Sequence, residues 1–365
     1  TRNGAKLIVV DPRRTEAARR ADIYLQIRPG TDGALALAML NVVINEDLYD
    51  AGFVDDYCVG FDQLREHVQQ YTPKWASEIT SLSPEEIVQT ARTYADNGPA
   101  SYRGNLGLGQ HSNSTQASRA FAALIAITGN IDILGGNRLP DPPPAGFEVL
   151  NQVLEDARVA KEVEEQALGA DSFPLWAGPD SYMRAPHNPS VINAMLTDEP
   201  YPVKSWIVMG ANPVMSYASA GKVMEAMKKL EFLMVLAYTP SPTSDLADLI
   251  LPLAHPHEQN GVKFSPYGNW LSAMPKLVEP PEGCREDFQI LHDIAERMVQ
   301  KEYIQTNLIP WENNDEFMAA RFADSKTSYQ ELCENGPIIR EPKYKKYVDC
   351  GFKTDSGKVE LYSSR

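Results

Sequence analysis

Cysteine is scarce in this sequence. Its four cysteines, Cys58, Cys284, Cys333 and Cys350, are scattered, with no C-x-x-C pair among them. That spacing argues against a zinc or iron–sulfur site built from these residues alone, so no metal-ligand set is assigned. Cations are also short. The 34 Lys and Arg stand against 49 Asp and Glu, a net charge of −15, and so anionic a surface argues against nucleic acid as a partner. No apolar run reaches the roughly 18 residues of a membrane-crossing helix, so no direct membrane insertion is expected. No signal peptide is visible. No G-x-G-x-x-G occurs, which argues against an NAD enzyme with two Rossmann units. The chain opens on TRNGAKLIVV without a starting Met and closes on KVELYSSR. It reads as a piece of a longer chain, whose compartment is not legible.

What is present is globular in kind. Apolar residues make up 43% and charged residues 23%. A chain of 365 residues can bury a large core and is expected to hold two domains or more. The opening stretch, residues 7–40, organises the rest. Residues 7–10 (LIVV) suit a strand buried on both faces. Residues 15–20 suit a short helix, and residues 23–27 alternate as a second strand. Pro29 and Gly30 break it, and Thr31 or Asp32 can cap an apolar helix over 34–44. Asp11 and Arg13, then Gly30 to Asp32, thus fall at the carboxyl ends of successive strands, the edge where open α/β sheets bind ligands. A carboxylate there can accept ribose hydroxyls, and a second can accept the paired N–H donors of a guanine edge. Arg13 can take a phosphate, and Gly30 lets backbone come close. Arg14, Arg19, Arg20 and Arg28 add local cations or, equally, a solvated helix face.

Further along, residues 46–68 read as short amphipathic helices. Thr72-Pro73 and Ser83-Pro84-Glu85-Glu86 are helix starts, the second a capping box, and residues 84–95 a helix. Residues 100–103 read as a short strand. Ser114 can cap a buried helix running to about Ile127. A proline-rich loop over 140–146 leads to a charged helix over 148–168 and irregular, aromatic-bearing loops over 173–202. Residues 204–252 repeat the opening logic: a strand over 205–209, the turn Gly210-Ala211-Asn212-Pro213, a helix over 221–230, and strands over 232–237 and 249–252. His255 and His257 are a metal pair by residue type but a loop by spacing. Residues 285–298 form an amphipathic helix. The fold class expected is α/β, with Rossmann-like βαβ units, mostly parallel sheets and two domains.

Several of these stretches resemble the molybdopterin oxidoreductases of the dimethyl-sulfoxide-reductase superfamily. VVDPR, a strand, and then G-T-D opening a helix match that family's dinucleotide-binding signature. G-A-N-P matches its second signature, and TPSPTSDLADLILP matches T-E-T-A-x-x-A-D-x-x-L-P at Thr239, Asp248 and Pro252, though not at the Glu. Gln110, His111 and ITGNID stand at the family's spacing ahead of and behind a helix. The resemblance covers nearly the whole chain but only the middle of a family member.

It implies a bis-molybdopterin guanine dinucleotide with molybdenum or tungsten, bound at one end by Asp11, Arg13, Gly30, Thr31 and Asp32. Gly210, Asn212, Pro213 and Thr239 would serve the other nucleotide. Gln110 would lie close to the pterin, and His111 is either a cavity-facing catalytic candidate or a core histidine. Residues 1–104 would be part of one dinucleotide-binding domain, 105–350 a second α/β domain, and 351–365 a linker towards a further domain. The resemblance also implies a small-molecule substrate, a 4Fe-4S cluster upstream, and iron–sulfur and membrane-anchor subunits as electron partners. Arg138 lacks the G-Q-N that follows the corresponding arginine of formate dehydrogenases. The run TGNID…GGN looks closer to the branch with thiosulfate and polysulfide reductases and acetylene hydratase. The alternative is a non-catalytic scaffold like the large iron–sulfur subunit of NADH dehydrogenase.

Overall fold

The computed structural model describes residues 4–141, 144–147, 159–179, 181, 185–265 and 269–362. They form two compact units, Thr1–Asp141 with Pro342–Arg365, and Pro142–Glu341. The boundaries expected from the sequence fall after 104 and 350. Residues 105–141 instead join the opening segment, because helix Ser114–Ile127 buries Leu124 and Ile127 in the same core as Leu35 and Leu40.

In the first unit, strands Ile8–Val10 and Ile23–Leu25 pair in parallel, Ile8 opposite Ile23 and Val10 opposite Leu25. Thr15 caps the four-residue helix Glu16–Arg19 between them, accepting from the Ala18 amide. Helix Asp32–Asn45 follows and is the hub, buried from Leu35 to Ile44 save for Leu37. Helices Pro73–Thr80, Pro84–Asp96 and Ser114–Ile127 pack around it. Thr72 caps the first of these, and Ser83 and Glu86 close a capping box on the second. The short helices Ala51–Tyr57 and Phe61–His67 fall where amphipathic turns were expected.

Two expectations fail here for a physical reason. Strand Ile8–Val10 is half-buried rather than covered on both faces, because among the described residues only one strand pairs with it. Residues 100–103 form no strand. Their backbone bonds to side-chain amides instead: Asn130 Oδ1 accepts from Ala100, and Asn137 both accepts from the Tyr102 N–H (2.8 Å) and donates to its carbonyl (2.6 Å). A side-chain amide presents the same donor–acceptor pair as a neighbouring peptide, so the segment is extended without a strand beside it.

The second unit is built on a parallel sheet of Ser205–Met209, Phe232–Ala237 and Leu249–Pro252, in that spatial order. All three match the expected bounds. One face, with Val208, Leu233 and Val235, packs on helices Asn188–Thr197 and Ala220–Met227. The other, with Met234 and Leu236, meets Ile290 of helix Asp287–Gln300. An antiparallel sheet of Gly261–Phe264, Trp270–Met274 and Ile338–Ile339 completes the unit. Helix Asn188–Thr197 lies in the stretch read as irregular. Its Ile192, Ala194 and Met195 are buried, and Pro189 opens it, so tertiary burial overrides a proline- and asparagine-rich start. Of the charged helix expected over 148–168, residues 148–158 lie outside the described residues, and Lys161–Glu164 is helical. Pro142 and Pro143 of the proline-rich loop also lie outside them.

Candidate cofactor-binding site

The carboxyl ends of the first two strands open on a cavity of about 310 Å³ in the first unit, lined among others by Asp11, Gly30, Asp32, Arg103, Asn105 and His111. Residues 20 to 100 positions apart converge there because the strand ends, the start of helix Asp32–Asn45 and the loop before helix Ser114–Ile127 share one rim. Asp11 Oδ1 accepts from the Arg13 amide at 2.8 Å, a turn that holds the carboxylate in place. Oδ2 has no such partner among the described groups. Asp32 occupies the first turn of its helix, where unpaired amides favour a negative charge. The Thr31 hydroxyl donates to the Arg28 carbonyl at 2.7 Å and makes no capping bond, so it locks the turn that presents Asp32. Gly30 has φ of +80°, and a Cβ there would come within 3.1 Å of His111 Nδ1. The histidine ring therefore packs directly over the glycine and faces the cavity.

Three residues from the sequence reading do not line this cavity: Arg13, Thr31 and Gln110. Two that it missed do. Tyr102 stacks on Phe121 with centroids 4.6 Å apart, and burial first, then the Asp32 charge, push its phenol up to about 12. Arg103 follows it on the rim. Of the wider arginine cluster, Arg19 and Arg20 both pair with Glu16, at 3.4 and 2.8 Å, and belong to a solvated helix face.

The second unit holds a counterpart. Gly210, with φ of +62° and open space where a Cβ would stand, turns the chain away from strand Ser205–Met209. Buried Pro213 opens helix Pro213–Ser216. Asn212 Oδ1 accepts from the Thr243 hydroxyl at 2.6 Å, and that hydroxyl accepts from the Val214 amide at 3.2 Å. With its side-chain oxygen engaged by Thr243, half-buried Asn212 keeps its amino group as a donor. Thr239 is exposed beyond the next strand end. The hydroxyl that touches the Gly210–Pro213 turn is that of Thr243, which the sequence reading left unassigned although it lies in the same run.

Acidic residues brace the opposite edges of both sheets. Asp22 Oδ2 accepts from Leu7 N at 2.8 Å, and Asp248 Oδ2 from Leu233 N at 2.7 Å. The first bond, to the Leu7 backbone, holds the Asp22 carboxyl below the usual range. Asp248 thus clamps two neighbouring strands. Arg138 is engaged by Asp141, Nη2 to Oδ2 at 2.6 Å. His255 and His257 bond each other, Nδ1 to Nδ1 at 3.1 Å.

Comparison with known proteins identifies the family and the fold. The family model described as molybdopterin oxidoreductase matches residues 1–297. Acetylene hydratase from Syntrophotalea acetylenica is 31% identical, over 100% of this chain and 52% of the relative. Formate dehydrogenase H from Escherichia coli is 32% identical, over 81% of this chain and 42% of the relative. The solved structure of acetylene hydratase from Pelobacter acetylenicus superposes with a TM-score of 0.86 at 30% identity, covering 100% of this chain and 52% of that one. The chain therefore spans about half the length of these relatives. It belongs to the molybdopterin oxidoreductase family, and with that membership comes a molybdenum- or tungsten-pterin cofactor.

Proposed function

We propose that this chain is the central cofactor-binding region of a molybdenum or tungsten oxidoreductase that uses the bis-guanine-dinucleotide form of the pterin. The observation that carries the reading is the first cavity, where two carboxylates, a close-approach glycine and a histidine meet at the carboxyl edge of a parallel sheet. The free oxygen of Asp11 accepts from ribose hydroxyls. Asp32 offers two oxygens at the spacing of the guanine N1–H and 2-amino donors. Gly30 brings backbone within reach, with Thr31 holding the turn, and Arg13 stands beside the rim. In the second unit, Asn212 donates to oxygens of the other nucleotide, beside Gly210, Pro213 and Thr239. Gln110 and His111 flank the approach to the pterin. When bound, the metal centre supplies two-electron redox or oxygen-atom transfer to a small-molecule substrate. The protein's part is to hold and orient it.

A 4Fe-4S cluster in a further segment, and iron–sulfur and membrane-anchor subunits as electron partners, belong to the same proposal. The relatives favour it over the scaffold reading, since they are formate dehydrogenases, dimethyl sulfoxide reductases and acetylene hydratase. Expression of the full-length protein in a pterin-producing host tests it. Molybdenum or tungsten with pterin fluorescence after acid oxidation is expected. A pure, folded protein with neither metal nor pterin would overturn it.

A further inference from the structure

The cavity at Asp11 and Asp32 poses an electrostatic problem. It places two carboxylates in a chain of net charge −15, yet its proposed occupant carries a diphosphate next to the guanosine. A cation on the rim would offset the two carboxylates and favour phosphate there. Arg13 is the obvious candidate by sequence, but it does not line the cavity. Its backbone amide is the group that serves the site, by holding Asp11. Arg19 and Arg20 are taken by Glu16. Arg103 does line the cavity, and among the described residues it makes no ion pair or side-chain hydrogen bond. Its position is fixed from behind. Tyr102, the preceding residue, is tied at both N–H and C=O to Asn137 and stacked on Phe121. The following Gly104 sits against the Tyr102 ring, where a Cβ would meet the phenol oxygen at 2.9 Å.

We propose that Arg103 is the residue that holds the phosphates of the nucleotide in this cavity, while Asp11 and Asp32 hold its nucleoside. The inference rests on the nucleotide reading above and refines it. It divides the labour by polarity. The carboxylates accept from hydroxyl and N–H donors, and the guanidinium donates its planar fork to phosphate oxygens, which are acceptors only. The ligand class selected is a guanosine 5′-diphosphate unit over guanosine itself. A lysine at this position keeps the charge but not the two-point geometry.

Calorimetric titration of the 365-residue chain with guanosine and with guanosine 5′-diphosphate separates the two claims. The native chain should prefer the diphosphate by on the order of ten-fold, the strength of a hydrogen bond to a charged group. Arg103→Ala should bring that ratio close to one with guanosine affinity unchanged, which also shows that the cavity is folded. Arg103→Lys should keep part of the preference, and Arg14→Ala all of it. If guanosine binds but the preference is absent, survives Arg103→Ala, or disappears with Arg13→Ala instead, Arg103 is the wrong residue and the nucleotide reading stands. If neither ligand binds the native chain, the nucleotide reading itself fails and this inference falls with it.

Discussion

Replacing Thr243 by valine tests how the second turn is held. Valine keeps the shape of threonine and removes only the hydroxyl, so the loss is polar. That hydroxyl is fully buried, donates to Asn212 Oδ1 at 2.6 Å and accepts from the Val214 amide at 3.2 Å. Val214 is itself buried, so its N–H has no water to turn to. Stranding one buried donor costs about 1–3 kcal/mol, and the lost bond to Asn212, whose oxygen water can partly reach, about 1 kcal/mol more. Roughly 2–4 kcal/mol is expected, equivalent to a fall of about 4–16 °C in Tm for a unit of this size. Thr243→Ser keeps the oxygen and should lose less than half as much. Thermal melts of both variants read the ranking, and hydrogen exchange at the Val214 amide reads the cause. Equal stability of Thr243→Val and the native chain, or equal damage from Thr243→Ser, would refute the relay from Val214 through Thr243 to Asn212.

Two further outcomes follow from the first unit. Gly30→Ala combines a φ of +80° with a Cβ contact of 3.1 Å to His111; a loss of roughly 1–2 kcal/mol is expected in denaturant titration, with a shifted His111 ring resonance. Tyr94 and Tyr102 are both pushed up to about 12, first by burial. Their neutral forms are favoured by folding, so the stability they contribute is whole below the ordinary tyrosine value near pH 10 and is lost as pH rises from there towards 12. Melts across that window should steepen downward, and Tyr102→Phe should make the slope shallower. An unchanged slope would contradict the burial of the phenol.

Much of this was legible because it is local. The strands over 205–209, 232–237 and 249–252 are apolar runs closed by turn residues, and Thr72 and Ser83 announce their helices within four positions. The carboxylates Asp11 and Asp32 were legible because a strand end and a helix start place them. What escaped depends on contacts distant in the chain. Residues 100–103 have the composition of a strand, and only Asn130 and Asn137, some thirty positions on, reveal that side chains bond them instead. Arg103 enters the cavity, and Arg13 stays off its lining, through the path of the backbone rather than any difference in residue type. Thr243 looked like one hydroxyl among several in a run of Thr, Ser and Pro. By contrast, the pairing of Arg19 and Arg20 with Glu16 follows from helical spacing alone.

The buried Asp132 has a consequence for synthesis. Its carboxylate receives Lys346, through both backbone N–H and Nζ at 2.9 Å, from 214 residues downstream. A carboxylate with no solvent access needs that ammonium, since an unmatched buried charge is costly. On the ribosome, at about 5–20 residues per second, Asp132 emerges roughly 10–40 s before its partner. During that wait its carboxylate lacks this partner, and the whole of the intervening unit is made first. The first unit is thus completed only after the second, by a short returning segment.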